Sequence, residues 1–77
     1  MSCKYIIVGS VTYAIKSKEI LENRGINVKI EKIKKVHALK GCGFGLKVDS
    51  AKSATAARFL NTAGINILDI IDCEVKP

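Results

Sequence analysis

Apolar residues recur along the chain with two different periods, and the change from one to the other predicts the elements of the fold. Alternating apolar and polar residues are typical of strands, and apolar residues three or four apart are typical of helices. Strands are predicted at about 4–8, 27–33, 44–49 and 66–75, helices at about 11–24 and 51–63, and a loop at 34–43. The predicted inward faces are Val11, Ala14, Ile15, Lys18 and Leu21 on the first helix, and Ala56, Phe59, Leu60 and Ala63 on the second.

The same phrase occurs twice in the chain, as LENRGINV at 21–28 and LNTAGINI at 60–67. Each copy has a leucine on a helical face, a glycine suited to the left-handed C-terminal position, and an apolar residue that opens a strand. Upstream, Ser10 and Ser50 are each placed to cap the following helix. Two strand–helix–strand copies predict one ferredoxin-like βαββαβ domain over residues 1–77. This is an α+β two-layer sandwich, with a four-stranded antiparallel sheet and two helices on one face.

The strand order usual for this topology, 4-1-3-2, leads to an expectation about the three cysteines. We expect strands one and three to be parallel in the middle of the sheet, so that both start where the antiparallel strand four ends. Neighbouring strands lie about 4.8 Å apart. We therefore expect Cys3, Cys42 and Cys73 to gather there, away from the N-termini of the helices and near His37. Cys73 alternates with apolar residues and is expected in the core.

Composition predicts a folded cytoplasmic protein with reduced thiols. Hydrophobic residues make up 48% of the chain, yet no apolar run approaches the length of about 20 residues that a membrane span needs. The N-terminus lacks the long apolar stretch and cleavage site of a signal peptide. The three cysteines are widely spaced and include no C-x-x-C, so they predict neither a disulfide framework nor a zinc knuckle. No association with a membrane is expected.

The segment KGCGFGLKV at 40–48 supports two interpretations. One is the RNA-binding strand of an RRM domain, whose aromatic side chains stack on bases. Cys42 and Lys47, however, occupy positions where that pattern has aromatic residues. Alternation also directs Phe44 inward with the other apolar residues of the strand. Binding of nucleic acid in the RRM mode is therefore disfavoured.

The second interpretation makes Cys42 a reactive thiol. The net charge is +6, and several lysines are concentrated before this cysteine. Positive charge favours the thiolate, lowers the pKa of the thiol and raises its reactive fraction. The predicted supporting loop consists of Gly41, Gly43, Lys35, Lys40 and His37. The alternative is a structural cysteine in a tight turn, with the lysines on a solvated face.

Metal and cofactor motifs are less well supported. A Cys₃His zinc site from Cys3, Cys42, Cys73 and His37 is conceivable, but these ligands have no paired local spacing. The sequence contains no Walker loop, dinucleotide fingerprint or carboxylate pair placed for acid–base chemistry. We therefore expect no metal and no organic cofactor.

Several segments together resemble the Se/S carrier protein-like family of small bacterial domains. They are VGSVTYAIKSKEILENRGINVK, GCGFGLKV and GINILDI, and the most specific part is Cys-Gly-x-Gly-Leu, at 42–46. The resemblance implies a carrier rather than an enzyme, holding sulfur or selenium as a persulfide or perselenide on Cys42 without an organic cofactor.

The resemblance also implies protein partners. These would be a cysteine desulfurase-like donor and a selenophosphate- or thiolation-type acceptor. The alternative function is a protein- or nucleic-acid-binding module of the same fold, in which the thiol of Cys42 is a bystander. The open face of so small a sheet is also a candidate surface for pairing with a second copy as a homodimer.

Overall fold

The computed structural model describes residues 3–36 and 41–73, with the backbone alone for residues 34–36, 41 and 42. The elements within these residues are β1 (Cys3–Val8), α1 (Val11–Glu22), β2 (Lys29–Val36), β3 (Gly41–Asp49), α2 (Ser50–Thr62) and β4 (Asp69–Asp72). The strands form one sheet in the order β2-β3-β1-β4, and every neighbouring pair is antiparallel. The predicted ferredoxin-like α+β fold is confirmed. Neither α1 nor α2 is long and apolar enough to cross a bilayer.

The pairing of β1 with β3 is antiparallel, so the expectation of parallel central strands was wrong. The register runs from Cys3 opposite Asp49 to Val8 opposite Phe44. A right-handed crossover through α1 makes β2 parallel to β1, and β3 is the antiparallel neighbour of β2. Strand β3 must therefore run against β1. Its first residues lie beside the end of β1, and its last residues lie beside Cys3.

Strands β2 and β3 extend into the segment that was predicted as a loop, because β2 continues to Val36 and β3 begins at Gly41. The lysine-rich sequence of β2 is compatible with a strand, since β2 is at the edge of the sheet. Lysines are common on edge strands, where they oppose pairing with other chains. Strand β4, in contrast, is shorter than predicted and covers only Asp69–Asp72.

The core lies between the sheet and the two helices. Partly buried residues, including Phe44 and Phe59, pack against it. Burying such apolar side chains stabilises the fold by roughly 25 cal/mol for each Å² removed from water. The buried cluster consists of Ile6, Val8, Ala14, Leu21, Ile26, Val28, Leu46, Val48, Ala56, Leu60 and Ile65.

The repeated phrase folds in the same way in both copies. Gly25 and Gly64 have φ angles of 80° and 84°, which a residue with a side chain rarely adopts. After each glycine, the N–H of the next isoleucine donates to the carbonyl of the helical leucine at 2.9 Å. This pattern closes the helix and returns the chain to the core. The helix-ending role predicted for these glycines is confirmed.

The face that helix α1 presents to the core agrees with the predicted one at Ala14 and Leu21 but not at Val11 and Ile15. Ala14, Ser17 and Leu21 are fully buried, whereas Val11 and Ile15 are 48% and 51% exposed. The buried hydroxyl of Ser17 donates to the carbonyl of Tyr13 at 2.6 Å, so no polar group is left unsatisfied there. The pattern of apolar residues did not predict Ser17 as a core residue, because serine is polar. It can be buried because its hydroxyl is hydrogen-bonded within its own helix.

Helix α2 also differs from its prediction at both ends. Its buried residues are Ser53, Ala56 and Leu60, and Ala63 is exposed. The cap is Asp49 rather than Ser50, because a carboxylate oxygen of Asp49 accepts from the N–H of Ala51 at 3.2 Å. In α1 the predicted cap is confirmed, since the Ser10 hydroxyl accepts from the N–H of Tyr13 at 3.2 Å.

Cys3 and Cys73 form a disulfide, so the expectation of free thiols and of a core position for Cys73 was wrong. Their Cα atoms are 5.3 Å apart, and the N–H of Cys73 donates to the carbonyl of Cys3 at 3.0 Å. The contact arises because β1 and β4 are antiparallel neighbours, so the start of β1 faces the residue that follows β4. That these two cysteines share one end of the sheet is confirmed.

The orientation of α1 can be tested with two alanine substitutions. Leu21→Ala is expected to lower the free energy of unfolding by about 2–5 kcal/mol, because it leaves a cavity in the core. Ile15→Ala is expected to change it by less than about 1 kcal/mol, because half of that side chain already contacts water. Urea denaturation followed by circular dichroism measures both. Equal losses would contradict the observed face of α1.

Candidate functional site

Cys42 lies in β3, opposite an irregularity in the pairing of this strand with β2. Ile33 pairs with Gly43, and pairing resumes with Val36 opposite the first residue of β3. Two lysines of β2, at positions 34–35, therefore face the single residue Cys42 along the backbone. Two residues opposed by one form a β-bulge, a feature that is common beside active sites.

The structure places only part of the predicted supporting loop. Lys35 stands across from Cys42, and Gly41 and Gly43 flank the cysteine within β3. His37 and Lys40 lie outside the described residues. Lys34, which sequence reasoning did not single out, shares the bulge with Lys35. It was missed because the segment was predicted as a loop, which has no cross-strand partners.

The three cysteines do not gather at one end of the sheet. Cys42 precedes Asp49, the partner of Cys3, by seven residues of β3. At the strand rise of about 3.3 Å per residue, this separates the backbones by about 23 Å. The expected cluster was therefore wrong for Cys42, which lies at the end where β1 stops and α1 begins. The Cys₃His zinc site, which the ligand spacing already disfavoured, is contradicted by the same distance and by the bond between Cys3 and Cys73.

The open face of the sheet, opposite the helices, packs tightly over Gly45. A Cβ atom on Gly45 would lie 2.9 Å from Cδ1 of Tyr5 and 3.0 Å from Cγ1 of Ile33. These two side chains therefore rest directly on the backbone of β3. The hydroxyl of Tyr5 donates to a carboxylate oxygen of Glu31 at 3.0 Å, which joins β1 to β2 across β3. Gly45 of the Cys-Gly-x-Gly-Leu segment thus has a packing role beside Cys42.

The aromatic residues are not arranged as an RNA-binding platform. Phe44 packs against the helix-side core, which confirms its predicted inward direction. Of the aromatic residues that the structure describes, Tyr5 alone lies on the open face, and its hydroxyl is bonded to Glu31. Stacking of two or three bases, as RRM domains achieve it, needs further aromatic side chains on that face.

The environment of Tyr5 raises its pKa above the ordinary value of 10.0. Burial is the main cause, because it disfavours the charged phenolate. The hydrogen bond to Glu31 and the negative charge of that carboxylate raise the pKa further. The folded state therefore prefers neutral Tyr5. This preference contributes its full stabilisation below the unfolded pKa and loses it as the pH rises through the folded pKa.

Comparison with known proteins bears on the segment around Cys42. A family model described as “Putative Se/S carrier protein-like” matches residues 3–72. The chain belongs to this family. The matched range runs from β1 to the last residue of β4 and includes Cys42 with both of its flanking glycines. Neither the curated proteins nor the solved structures gave a match. The resemblance seen in the Cys-Gly-x-Gly-Leu segment is thus confirmed at the level of the family.

The link between Tyr5 and Glu31 can be tested by titration. In a Tyr13→Phe variant, which leaves Tyr5 as the one tyrosine, phenolate absorbance should appear at higher pH in the folded protein than in the denatured chain. Adding Glu31→Gln should lower the pKa of Tyr5, because the carboxylate that opposes ionisation is removed. Ultraviolet absorbance against pH measures both. An unchanged curve after Glu31→Gln would show that the two side chains do not interact in solution.

The packing over Gly45 can be tested with a matched pair of glycine substitutions. Gly45→Ala is expected to lower the free energy of unfolding by about 1–3 kcal/mol, because the new methyl group meets Tyr5 and Ile33. In Gly9→Ala the nearest atom to the new Cβ, Cδ1 of Leu68, is at 3.6 Å, an ordinary contact. This control should lose less than about 1 kcal/mol. Similar urea midpoints for the two variants would contradict the close approach at Gly45.

Proposed function

We propose that the protein carries sulfur or selenium as a persulfide or perselenide on Cys42. The proposal rests on one observation. The only one of the chain's three cysteines outside the disulfide lies in the segment that resembles the carrier family, within the range that the family model matches. Cys42 is the thiolate carrier in this proposal. Its supporting residues are those of the predicted loop, to which the bulge adds Lys34.

Loading requires only an exchange of bonds at sulfur. The thiolate of Cys42 attacks the outer sulfur of a donor persulfide, forming a new bond between the two sulfurs. The sulfur–sulfur bond of the donor breaks, and the donor cysteine leaves as a thiolate with the bonding electron pair. A selenium cargo follows the same path, with attack on the outer selenium. Atoms and electrons balance without an oxidant or a cofactor.

The distance of Cys42 from the other two cysteines supports its proposed role in holding a persulfide. A persulfide beside a second thiol is short-lived, because that thiol attacks the inner sulfur, forms a disulfide and releases hydrosulfide. Here the other two cysteines are about 23 Å away along β3, and they are bonded to each other. Cargo on Cys42 would therefore meet no competing thiol of its own chain.

The charge around the bulge also suits an anionic cargo. A persulfide or perselenide is negatively charged at neutral pH, and nearby positive charge favours that form. Lys34 and Lys35 are opposite Cys42 along the backbone, and the whole chain has a net charge of +6. In our proposal the positive charge of these lysines keeps the persulfide or perselenide in its anionic form, in which the outer atom is nucleophilic.

A carrier needs a protein that donates the cargo and a protein that accepts it. We propose a cysteine desulfurase-type donor and a selenophosphate- or thiolation-type acceptor. The cytoplasmic location stays a prediction.

One observation favours the second candidate function, a protein-interaction module. Val11, Tyr13 and Ile15 of α1 are each about half exposed. Helix α1 begins at the end of the sheet that holds Cys42, so this apolar surface is also compatible with docking of a donor.

Substitution of Cys42 separates the two candidate functions. When incubated with glutathione persulfide or with a cysteine desulfurase and cysteine, the wild-type protein should gain one sulfur atom at Cys42. Cys42→Ser should gain none, because its hydroxyl is not nucleophilic enough to be loaded. Mass spectrometry of the intact protein and of its peptides measures the gain. Loading of Cys42→Ser to the wild-type level would contradict the carrier proposal.

Two controls refine this test. Lys34→Glu with Lys35→Glu should slow loading, because positive charge near the thiol is replaced by negative charge. Lys52→Glu, on the exposed first turns of α2 near Asp49 and so at the other end of β3, changes the net charge in the same direction and should leave the rate nearly unchanged. If Cys42→Ser retains binding to a partner that the wild-type protein captures, and neither protein is loaded, the interaction module is the correct function.

A further inference from the structure

Strand β4 is a short edge strand with few contacts to hold it in place. Its residues, Asp69–Asp72, are all exposed and pair with β1 over four positions, from Ile7 opposite Asp69 to Lys4 opposite Asp72. The ion pair between Lys4 and Asp72, at 3.0 Å, has side chains that are 36% and 80% exposed. Exposed ion pairs of this kind contribute little to stability, because water and salt screen them. The ion pair therefore adds little to the backbone ladder that holds β4 against β1.

The disulfide adds a covalent restraint at the end of the ladder between β1 and β4. Cys73 directly follows β4, and its N–H donates to the carbonyl of Cys3 at 3.0 Å, which continues the pairing by one position. The bond links residues 70 positions apart, so it closes almost the whole chain into a loop. Closing so long a loop strongly limits the ways in which the ends can separate. At the opposite end of the ladder, the N–H of Leu68 donates to the carbonyl of Ile7 at 2.8 Å.

Both cysteines are only partly buried, so small molecules can approach them. Thiol–disulfide exchange requires that the attacking thiolate reach a sulfur atom of the disulfide, and more exposed disulfides are the more easily reduced ones. We propose that Cys3 and Cys73 form a second thiol site, separate from Cys42, that exchanges electrons with low-molecular-weight thiols and disulfides. Its oxidation locks β4 onto β1, and its reduction releases β4. This inference is independent of the proposed carrier function.

The exchange balances with a small disulfide as the oxidant. One protein thiolate attacks a sulfur of the small disulfide, forms a mixed disulfide and releases the first small thiolate. The second protein thiolate then attacks the protein sulfur of this mixed disulfide and releases the second small thiolate. Two protein thiols are oxidised to one disulfide, and the small disulfide is reduced to two thiols by the same two electrons. Reduction follows the reverse path.

Release of β4 would change the surface of the sheet. Strand β1 is an interior strand while β4 is in place. Without β4, its backbone N–H and C=O groups from Lys4 to Ile7 would lack their partners on that side. Unpaired strand edges of this kind accept an added strand from another polypeptide. The redox state of the two cysteines would thereby decide whether this edge is covered.

The full chain can be titrated with mixtures of glutathione and glutathione disulfide, followed by alkylation and mass spectrometry. Cys3 and Cys73 should become protected together, and the midpoint should depend on the square of the glutathione concentration, because two thiols are released. Cys42→Ser should show the same paired protection. Separate glutathione adducts on Cys3 and Cys73, or no protection at any ratio, would overturn the proposed site.

Hydrogen exchange in the same mixtures tests the conformational part. The amide of Cys73 should exchange faster by about tenfold or more in the reduced protein, since no covalent bond then keeps Cys73 beside Cys3 when its hydrogen bond opens. The amide of Leu68, at the far end of the ladder, should change less, and in the reduced protein the β4 amides should exchange faster than that of Leu60, which is buried in α2. Cys73→Ser should show the reduced-state exchange of the β4 amides at every ratio. Equal exchange in the oxidised and reduced wild-type protein would overturn the switch.

Discussion

The antiparallel pairing of β1 with β3 is the constraint on which the rest of the structure depends. It sets Ile6 opposite Leu46 and Val8 opposite Phe44, so that both strands present apolar side chains to the helices. Because side chains alternate between the two faces, a shift of one residue would put Gly45 in the core and these apolar residues in water. The same pairing decides which ends of the strands meet. It therefore fixes the positions of the cysteines as firmly as it fixes the core.

One consequence is that the three cysteines lie at two different ends of the sheet. Cys42 belongs to the end where the β2 bulge opposes it with two lysines, and the disulfide closes the other end. For a carrier, this division keeps the cargo away from thiols that would discharge it. For a redox site, it allows Cys3 and Cys73 to respond to small thiols without engaging Cys42. A single cluster of three cysteines would permit neither separation.

The glycines of the Cys-Gly-x-Gly-Leu segment illustrate how structure and function overlap in one stretch of β3. Gly43 is buried opposite Ile33, and Gly45 is covered by Tyr5 and Ile33. The absence of side chains lets the open face close over the strand that holds Cys42. These contacts join β1 and β2 across β3 through the Tyr5–Glu31 hydrogen bond. A strand held by such contacts is a suitable support for the proposed carrier residue.

The sequence by itself determined the order of the elements, the helix-ending glycines, the inward direction of Phe44 and the family. Each of these depends on local periodicity, on hydrogen bonds within a few residues, or on a short motif. The same order also implies that β3 runs against β1, because β2 is parallel to β1 and β3 is antiparallel to β2. Only the tertiary structure decided the disulfide, the full set of buried residues on α1 and the bulge opposite Cys42. Cys3 and Cys73 are 70 positions apart, and the alternation that predicts β2 is interrupted at the two lysines of positions 34–35. The repeated strand–helix–strand pattern brought Cys3 and Cys73 to one end of the sheet, but no local pattern in this chain specifies that their sulfur atoms bond or that β2 bulges opposite Cys42.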